Sequence, residues 1–308
     1  MTSVIASSRN STIVPKARTL YLAATRAWFR VASRLAPTVA RRQAERLFTT
    51  PPRYAGRAGE VPDARRATVH CGDDRLAVWQ AGPADGPAAL LVHGWGGRGV
   101  QLDSFVAPLR AAGFRVVWFD QAGHGETGHR RVGLPDFTRA VDALAEQLGP
   151  FRAAVGHSLG AAALGLALRG GLALERVALI SVPASMRDHT HAFARFIGIA
   201  PAVREAMRQQ LEARYGMRFT DIDRIEELAR VHLPALFVHD VADAQIPFRH
   251  AVTLSARMPN ARLVRTHGLG HTRILREPAV VQVVARFLAG DDELPAELPT
   301  LPRPAPLY

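Results

Sequence analysis

The sequence predicts an α/β fold built on a mostly parallel, twisted sheet flanked by helices. Three observations carry that expectation. From about residue 67 onward, short apolar runs alternate with longer segments of helical periodicity. Several of the runs are continuously apolar and β-branched, as strands buried on both faces require. At 308 residues with 48% apolar side chains, the chain is long enough to bury such a sheet.

The elements follow in order. Residues 18–36 read as a helix in which Tyr21, Ala24, Trp28, Val31 and Leu35 share one face, with Arg26, Arg30 and Arg34 opposite. Pro37 ends it, and Ala40, Ala44, Leu47 and Phe48 mark a second short helix before Pro51 and Pro52. Strands are expected at 75–80, 88–93, 114–119, 152–155, 176–181, 235–239 and 261–265. Helices are expected near 100–112, 135–148, 159–169, 248–257 and 277–289. The alternation breaks between Val182 and Pro234, where 192–199, 201–215 and 221–230 read as helical, the size of a lid or cap. The resulting organisation is a basic N-terminal helical arm at 1–66, a core at 67–185 and 231–290, a helical cap at 186–230 and a proline-rich tail at 291–308.

Composition excludes several classes. Moderate charge with abundant apolar residues argues against global disorder, and the single cysteine, Cys71, cannot form a disulfide within the chain. Cys71 reads as a small apolar residue near the first strand. The longest uncharged apolar-rich run, residues 159–168, is too short to cross a bilayer. The net charge of +12 first suggests nucleic acid, but thirteen cations against Glu45, Glu60 and Asp63 place +10 within residues 1–66. That leaves +2 for the remaining 242 residues, and the nucleic-acid reading weakens. For residues 18–50 three readings stand: a helical hairpin packing on its own protein, peripheral contact with an anionic membrane, or a targeting presequence, given its Arg and Ser enrichment with few acids. No apolar secretory segment precedes a cleavage site, so a cytoplasmic location is expected.

The chemistry concentrates at Gly156-His157-Ser158-Leu159-Gly160, between a short apolar strand and an alanine-rich helix. A nucleophile on such a turn is held clear of the sheet with a helix N-terminus beneath any developing anion. The plain alternative is a serine capping a helix. A serine needs a base, and the base an orienting acid. Asp243 follows a strand end, and His271 sits in a glycine-loosened loop after the last strand. The chain order Ser158, Asp243, His271 fits nucleophile, acid and base.

Over residues 67 to 290 the sequence resembles the α/β-hydrolase superfamily, in its serine-nucleophile, esterase- or lipase-like branch. The resemblance rests on that elbow, on Leu91-Val-His93-Gly94-Trp95, on Phe119-Asp120-Gln-Ala-Gly123-His124-Gly125 and on His239-Asp240-x-x-Asp243-x-x-Ile246-Pro247. It implies the α/β-hydrolase fold, with the helical cap inserted after the sixth strand. It implies an oxyanion hole from the backbone N–H groups of Trp95 and Leu159. It also favours Asp243 over Asp240 as the acid and His271 over His267 as the base. His93 and His124 are expected to bond loops near the site, and His157 to pack or shape it.

A serine at the elbow disfavours dehalogenation or epoxide opening and suits acyl transfer. The expected function is a carboxylesterase-like serine hydrolase taking a small-molecule acyl substrate. An acyltransferase or thioesterase using the same triad is the alternative among enzymes, and a catalytically silent ligand-binding protein the alternative outside them. No cofactor is expected. The remaining histidines lack ligand-like spacing with carboxylates, so no metal is expected either.

Overall fold

β-Strand propensity and helical periodicity resolve into eight strands and eleven α-helices in a computed structural model that describes residues 13–54 and 61–299. The outer residues of the N-terminal arm and the last nine of the proline-rich tail lie outside the described residues. The strands are β1 (Arg65–Cys71), β2 (Asp74–Ala81), β3 (Ala88–Val92), β4 (Arg115–Phe119), β5 (Phe151–His157), β6 (Arg176–Ile180), β7 (Ala235–Asp240) and β8 (Ala261–Thr266). Their order is β1-β2-β4-β3-β5-β6-β7-β8. β1 and β2 run antiparallel to their neighbours, and every pair from β4 to β8 is parallel.

β1 is the strand that sequence periodicity misses. It is an edge strand with only Val69 fully buried, so it carries little apolar signal. It is held by a hairpin in which Cys71 faces Asp74 across Gly72, whose φ of +58° suits glycine.

The helices are α1 (Ile13–Leu35), α2 (Pro37–Thr49), α3 (Val106–Ala111), α4 (Leu134–Leu148), α5 (Leu159–Arg169), α6 (Met186–Ile197), α7 (Pro201–Tyr215), α8 (Phe219–Ile222), α9 (Arg249–Ser255), α10 (Gly270–Arg273) and α11 (Pro278–Leu288). The described chain divides into two units: residues up to 48 with 187–219, and residues 49–186 with those from 220 onward. The basic arm and most of the cap segment therefore share one unit, while residues 49–66 and 220–230 belong with the sheet.

In the sheet unit, side-chain alternation builds two cores. On β3, Leu90 and Val92 face the cluster containing Phe137, Leu144 and Leu164, whereas Ala89 and Leu91 face Phe105, Leu109 and Phe287. That is the period-two rule applied to a strand covered on both sides. α4 supplies Phe137, Ala140, Val141 and Leu144 at helical spacing, all buried, and its Asp136 carboxylate accepts the Gly133 N–H at 2.7 Å. Each fully buried leucine or phenylalanine contributes about 2 kcal/mol.

In the other unit, α1 turns Phe29 and Ala32 inward. Arg26 Nε donates to the Phe196 carbonyl at 2.8 Å, and the Ala200 N–H donates to Ser33 Oγ at 3.2 Å. Met207, Val203, Leu211, Ile197 and Ile199 are buried, and Phe193 meets Phe48 edge-on at 5.0 Å. The face that the packing alternative would bury, containing Tyr21, Trp28, Val31 and Leu35, is exposed. Helical spacing reports that one side is apolar, not which way that side turns.

Candidate active site

Ser158 stands between β5 and α5 at φ 52°, ψ −121°, a left-handed conformation costing about 1–3 kcal/mol that the surroundings must hold in place. The Ser158 N–H donates to Ile180 O at 2.9 Å, tying the turn to the next strand. Its flanking glycines are steric necessities. A Cβ on Gly156 would lie 2.6 Å from Ala161 Cα, and one on Gly160 would collide with the His93 carbonyl oxygen. Ser158 itself is 8% exposed.

His271 belongs to α10, just after β8, and Asp243 lies in the turn after β7. His271 Nε2 is 3.0 Å from Ser158 Oγ, and His271 Nδ1 is 2.7 Å from Asp243 Oδ2. The neutral ring in this arrangement donates from Nδ1 to the carboxylate and accepts from the hydroxyl. The second oxygen of Asp243 accepts the N–H groups of Gln245 and Ile246, at 2.8 and 3.0 Å. Burial pushes the Asp243 carboxyl up, but its bond to His271, the histidine's charge and these two N–H groups together hold it at about 2. It is therefore an anion at neutral pH, able to stabilise an imidazolium.

The rivals separate cleanly. His267 is 40% exposed and lies 2.9 Å from Glu297 Oε1 rather than near Ser158. Asp240 is fully buried and does not touch His271 among the described contacts. Instead its carboxylate accepts the Ala242 N–H at 3.0 Å, the Leu269 N–H at 2.9 Å and the Thr266 hydroxyl at 2.9 Å. One side chain thus pins both the turn carrying Asp243 and the loop carrying His271. Asp240→Ala leaves three donors without this acceptor, of which the Thr266 hydroxyl is buried. It is expected to cost about 3 kcal/mol of stability, read as a lower urea midpoint at unchanged slope. A midpoint within error of the parent protein would remove Asp240 from this role.

His157 makes the corresponding tie on the nucleophile side. Its Nε2 donates to the His271 carbonyl at 2.9 Å, with the two rings 4.8 Å apart. Burial, followed by the neighbouring His271 charge, lowers its pKa to about 3, so it stays neutral beside the imidazolium. The sequence assigns His157 to packing or shaping the pocket but not to this bond, because its partner is 114 residues away.

The expected oxyanion donors sit at the start of α5 and in the loop after β3. Leu159 is the first residue of α5, where N–H groups have no intrahelical acceptor. Trp95 follows Gly94, where a Cβ would lie 2.9 Å from Ser158 Cβ. Two buried histidines fix this loop. His93 Nδ1 donates to Gly94 O at 2.8 Å while its Nε2 accepts the Gln121 N–H at 2.9 Å. His124 Nε2 accepts the Gly96 N–H at 3.0 Å, and its Nδ1 donates to Ala122 O at 2.9 Å. Burial holds His124 at about 4 and His93 well below the usual histidine range, which keeps these acceptor nitrogens free of protons. Asp120 anchors the same region, accepting the Gly99 and Glu126 N–H groups at 2.8 Å each and the Arg98 guanidinium at 3.1 Å.

A separate apolar pocket of about 60 Å³ lies against α5 and is lined by Ala161, Gly165, Leu179, Val182 and Phe237. Its walls include none of Ser158, Asp243 and His271, so it is not where bond making is centred. Among the described residues, no group of three His, Cys, Asp or Glu side chains is arranged to hold a metal ion.

The model of the alpha/beta hydrolase family matches residues 89–305. The pimeloyl-[acyl-carrier protein] methyl ester esterase of Aromatoleum aromaticum is 27% identical over 239 residues, covering 62% of this chain and 94% of that protein. The magnesium-chelatase 30 kDa subunit of Rhodobacter capsulatus is 34% identical over 140 residues, 44% of this chain and 45% of that one. Among solved structures, a serine hydrolase from Cycloclasticus zankles superposes with a TM-score of 0.58 at 18% identity, covering 74% of this chain and 98% of its own. That last likeness speaks to the fold.

Proposed function

Because the chain belongs to the alpha/beta hydrolase family, we propose that it is a serine hydrolase cleaving carboxylic esters through an acyl-enzyme formed on Ser158. The observation that carries the reading is the continuous relay from Ser158 Oγ through the His271 ring to the Asp243 carboxylate, at 3.0 and 2.7 Å. His271 Nε2 takes the Ser158 proton as Oγ attacks the ester carbonyl, and Asp243 stabilises the imidazolium. The tetrahedral oxyanion is received by the N–H groups of Trp95 and Leu159. His271 then protonates the departing alcohol, and a water repeats the sequence to release the acid. The ester-cleaving name of the Aromatoleum aromaticum relative supports an ester as the substrate class.

A fluorophosphonate probe tests the nucleophile directly. A stoichiometric adduct on Ser158, located by peptide mass spectrometry, is the expected result. No adduct on the folded protein would sink the enzymatic reading in favour of a ligand-binding one. A panel of p-nitrophenyl esters of increasing acyl length, run beside thioesters and with alcohols as competing acceptors, then fixes the branch. Faster turnover of thioesters, or capture of the acyl group by an alcohol rather than water, would replace the carboxylesterase assignment.

A further inference from the structure

The described part of α1 has two apolar sides, and only one is covered. Phe29 is 1% exposed on the side that bonds through Arg26 and Ser33 to Phe196 and Ala200, and buried Ala32 marks the border between that side and the open one. On the other side, Leu20, Tyr21, Trp28, Val31 and Leu35 are 44 to 81% exposed. At 100° per residue these five and Ala24 occupy an arc about 100° wide, the width of a face that ordinarily meets a core. α2 repeats the arrangement with exposed Val39 and Leu47, one turn to either side of exposed Gln43.

Cations border both faces. Arg30 and Arg34 lie on one flank of the α1 arc, and Arg42 and Arg46 on the corresponding flank of α2; all four are exposed. None of the four pairs with a carboxylate among the described residues, whereas the neighbouring Arg41 bonds Glu45 at 3.2 Å. An apolar strip edged by unneutralised guanidinium groups, with planar forks suited to phosphate, is the pattern of a helix lying flat in a lipid headgroup layer. The helix is not apolar enough to cross a membrane.

We propose that α1 and α2 bind the surface of an anionic bilayer, with Leu20, Trp28, Val31 and Leu35 entering the acyl boundary and the four arginines meeting lipid phosphates. Charge decides between this occupant and a second copy of the chain. An antiparallel symmetric pairing through the same face would set the arginine flank along its own counterpart, whereas an anionic surface neutralises it. The proposal stands independently of the ester-cleaving reading.

The test is sedimentation of the full chain with vesicles of phosphatidylcholine alone and of phosphatidylcholine with phosphatidylglycerol. About tenfold or greater preference for the anionic vesicles is expected, weakening as salt is raised. Two variants probe the two components: Leu20→Ser with Val31→Ser and Leu35→Ser, and Arg30→Gln with Arg34→Gln, Arg42→Gln and Arg46→Gln. All these positions are exposed, so both variants are expected to keep the parent circular dichroism spectrum and melting midpoint. Both are expected to lose vesicle binding. Equal binding to both vesicle types, or unchanged binding by either variant, would overturn the proposal. So would a dimer, measured by light scattering, that the serine variant converts to monomer in a protein that binds no vesicle.

Discussion

Replacing Ser158 with alanine is expected to lower kcat on a short-chain p-nitrophenyl ester by on the order of 10⁴- to 10⁶-fold. The fold should survive. Alanine at φ 52° meets the same backbone strain that serine already bears, so the urea midpoint should move by less than about 1 kcal/mol equivalent. Glycine at the same position relieves that strain, and Ser158→Gly is expected to be equally inactive but more stable than the parent by about 1 kcal/mol. A dead enzyme of raised stability is hard to produce by general damage, so the pair of variants separates chemistry from folding. Asp243→Asn should lose activity by about 10⁴-fold, because an amide cannot hold the His271 tautomer or offset its charge. Ester hydrolysis by Ser158→Ala within tenfold of the parent would place the nucleophile elsewhere.

The second large effect is acid lability beginning well above the carboxylate range. His124 is held at about 4 and His157 at about 3, against an ordinary value of 6.5, chiefly by burial. Their folded-state values lie below the unfolded ones, so the unfolded chain binds protons that the folded chain refuses. Stability from these groups is complete above about pH 6.5 and falls as pH drops toward their folded values. At about pH 5 each costs about 2 kcal/mol, about 4 together, out of the 5–15 typical of a protein. His93 and His239, also lowered by burial, act in the same direction. Asp243 behaves differently: with its value depressed from 3.8 to about 2, its contribution is lost only between about pH 4 and pH 2. Urea midpoints measured at about pH 7.5 and about pH 5 should therefore differ markedly. Equal midpoints would mean that these rings take up protons in the folded protein without cost.

Legibility in the sequence followed how local each signal is. The grouping of Ser158, Asp243 and His271 is legible because each sits at a strand end marked by small residues or a turn, and the structure brings the three side chains within hydrogen-bond reach. The central strands were readable because burial on both faces leaves an unbroken apolar run, as in Ala88–Val92. β1 escaped because an edge strand with a single fully buried side chain has no such run. The roles of Asp240 and His157 are not legible in the sequence. Their partners, Leu269 and the His271 carbonyl, become neighbours only once β7 pairs with β8 and the loop after β8 folds back to Ser158. The outward turn of α1 is not legible for another reason: a hydrophobic stripe has no built-in direction, and buried Phe29 lies outside it on a neighbouring side.

The strand pairing after β6 has a consequence for how this protein diversifies. β6 and β7 are adjacent and in register, with Leu179 opposite Phe237, although more than fifty residues separate them along the chain. The sheet closes this gap by itself, and residues 220–231 pack back on it through Leu228 and Val231, so length changes are absorbed within residues 187–219. That segment is not free to change alone, because Phe196 and Ala200 are bonded to Arg26 and Ser33. Residues 13–48 and 187–219 form a cassette in two pieces, and a graft between relatives that carries one piece must carry the other.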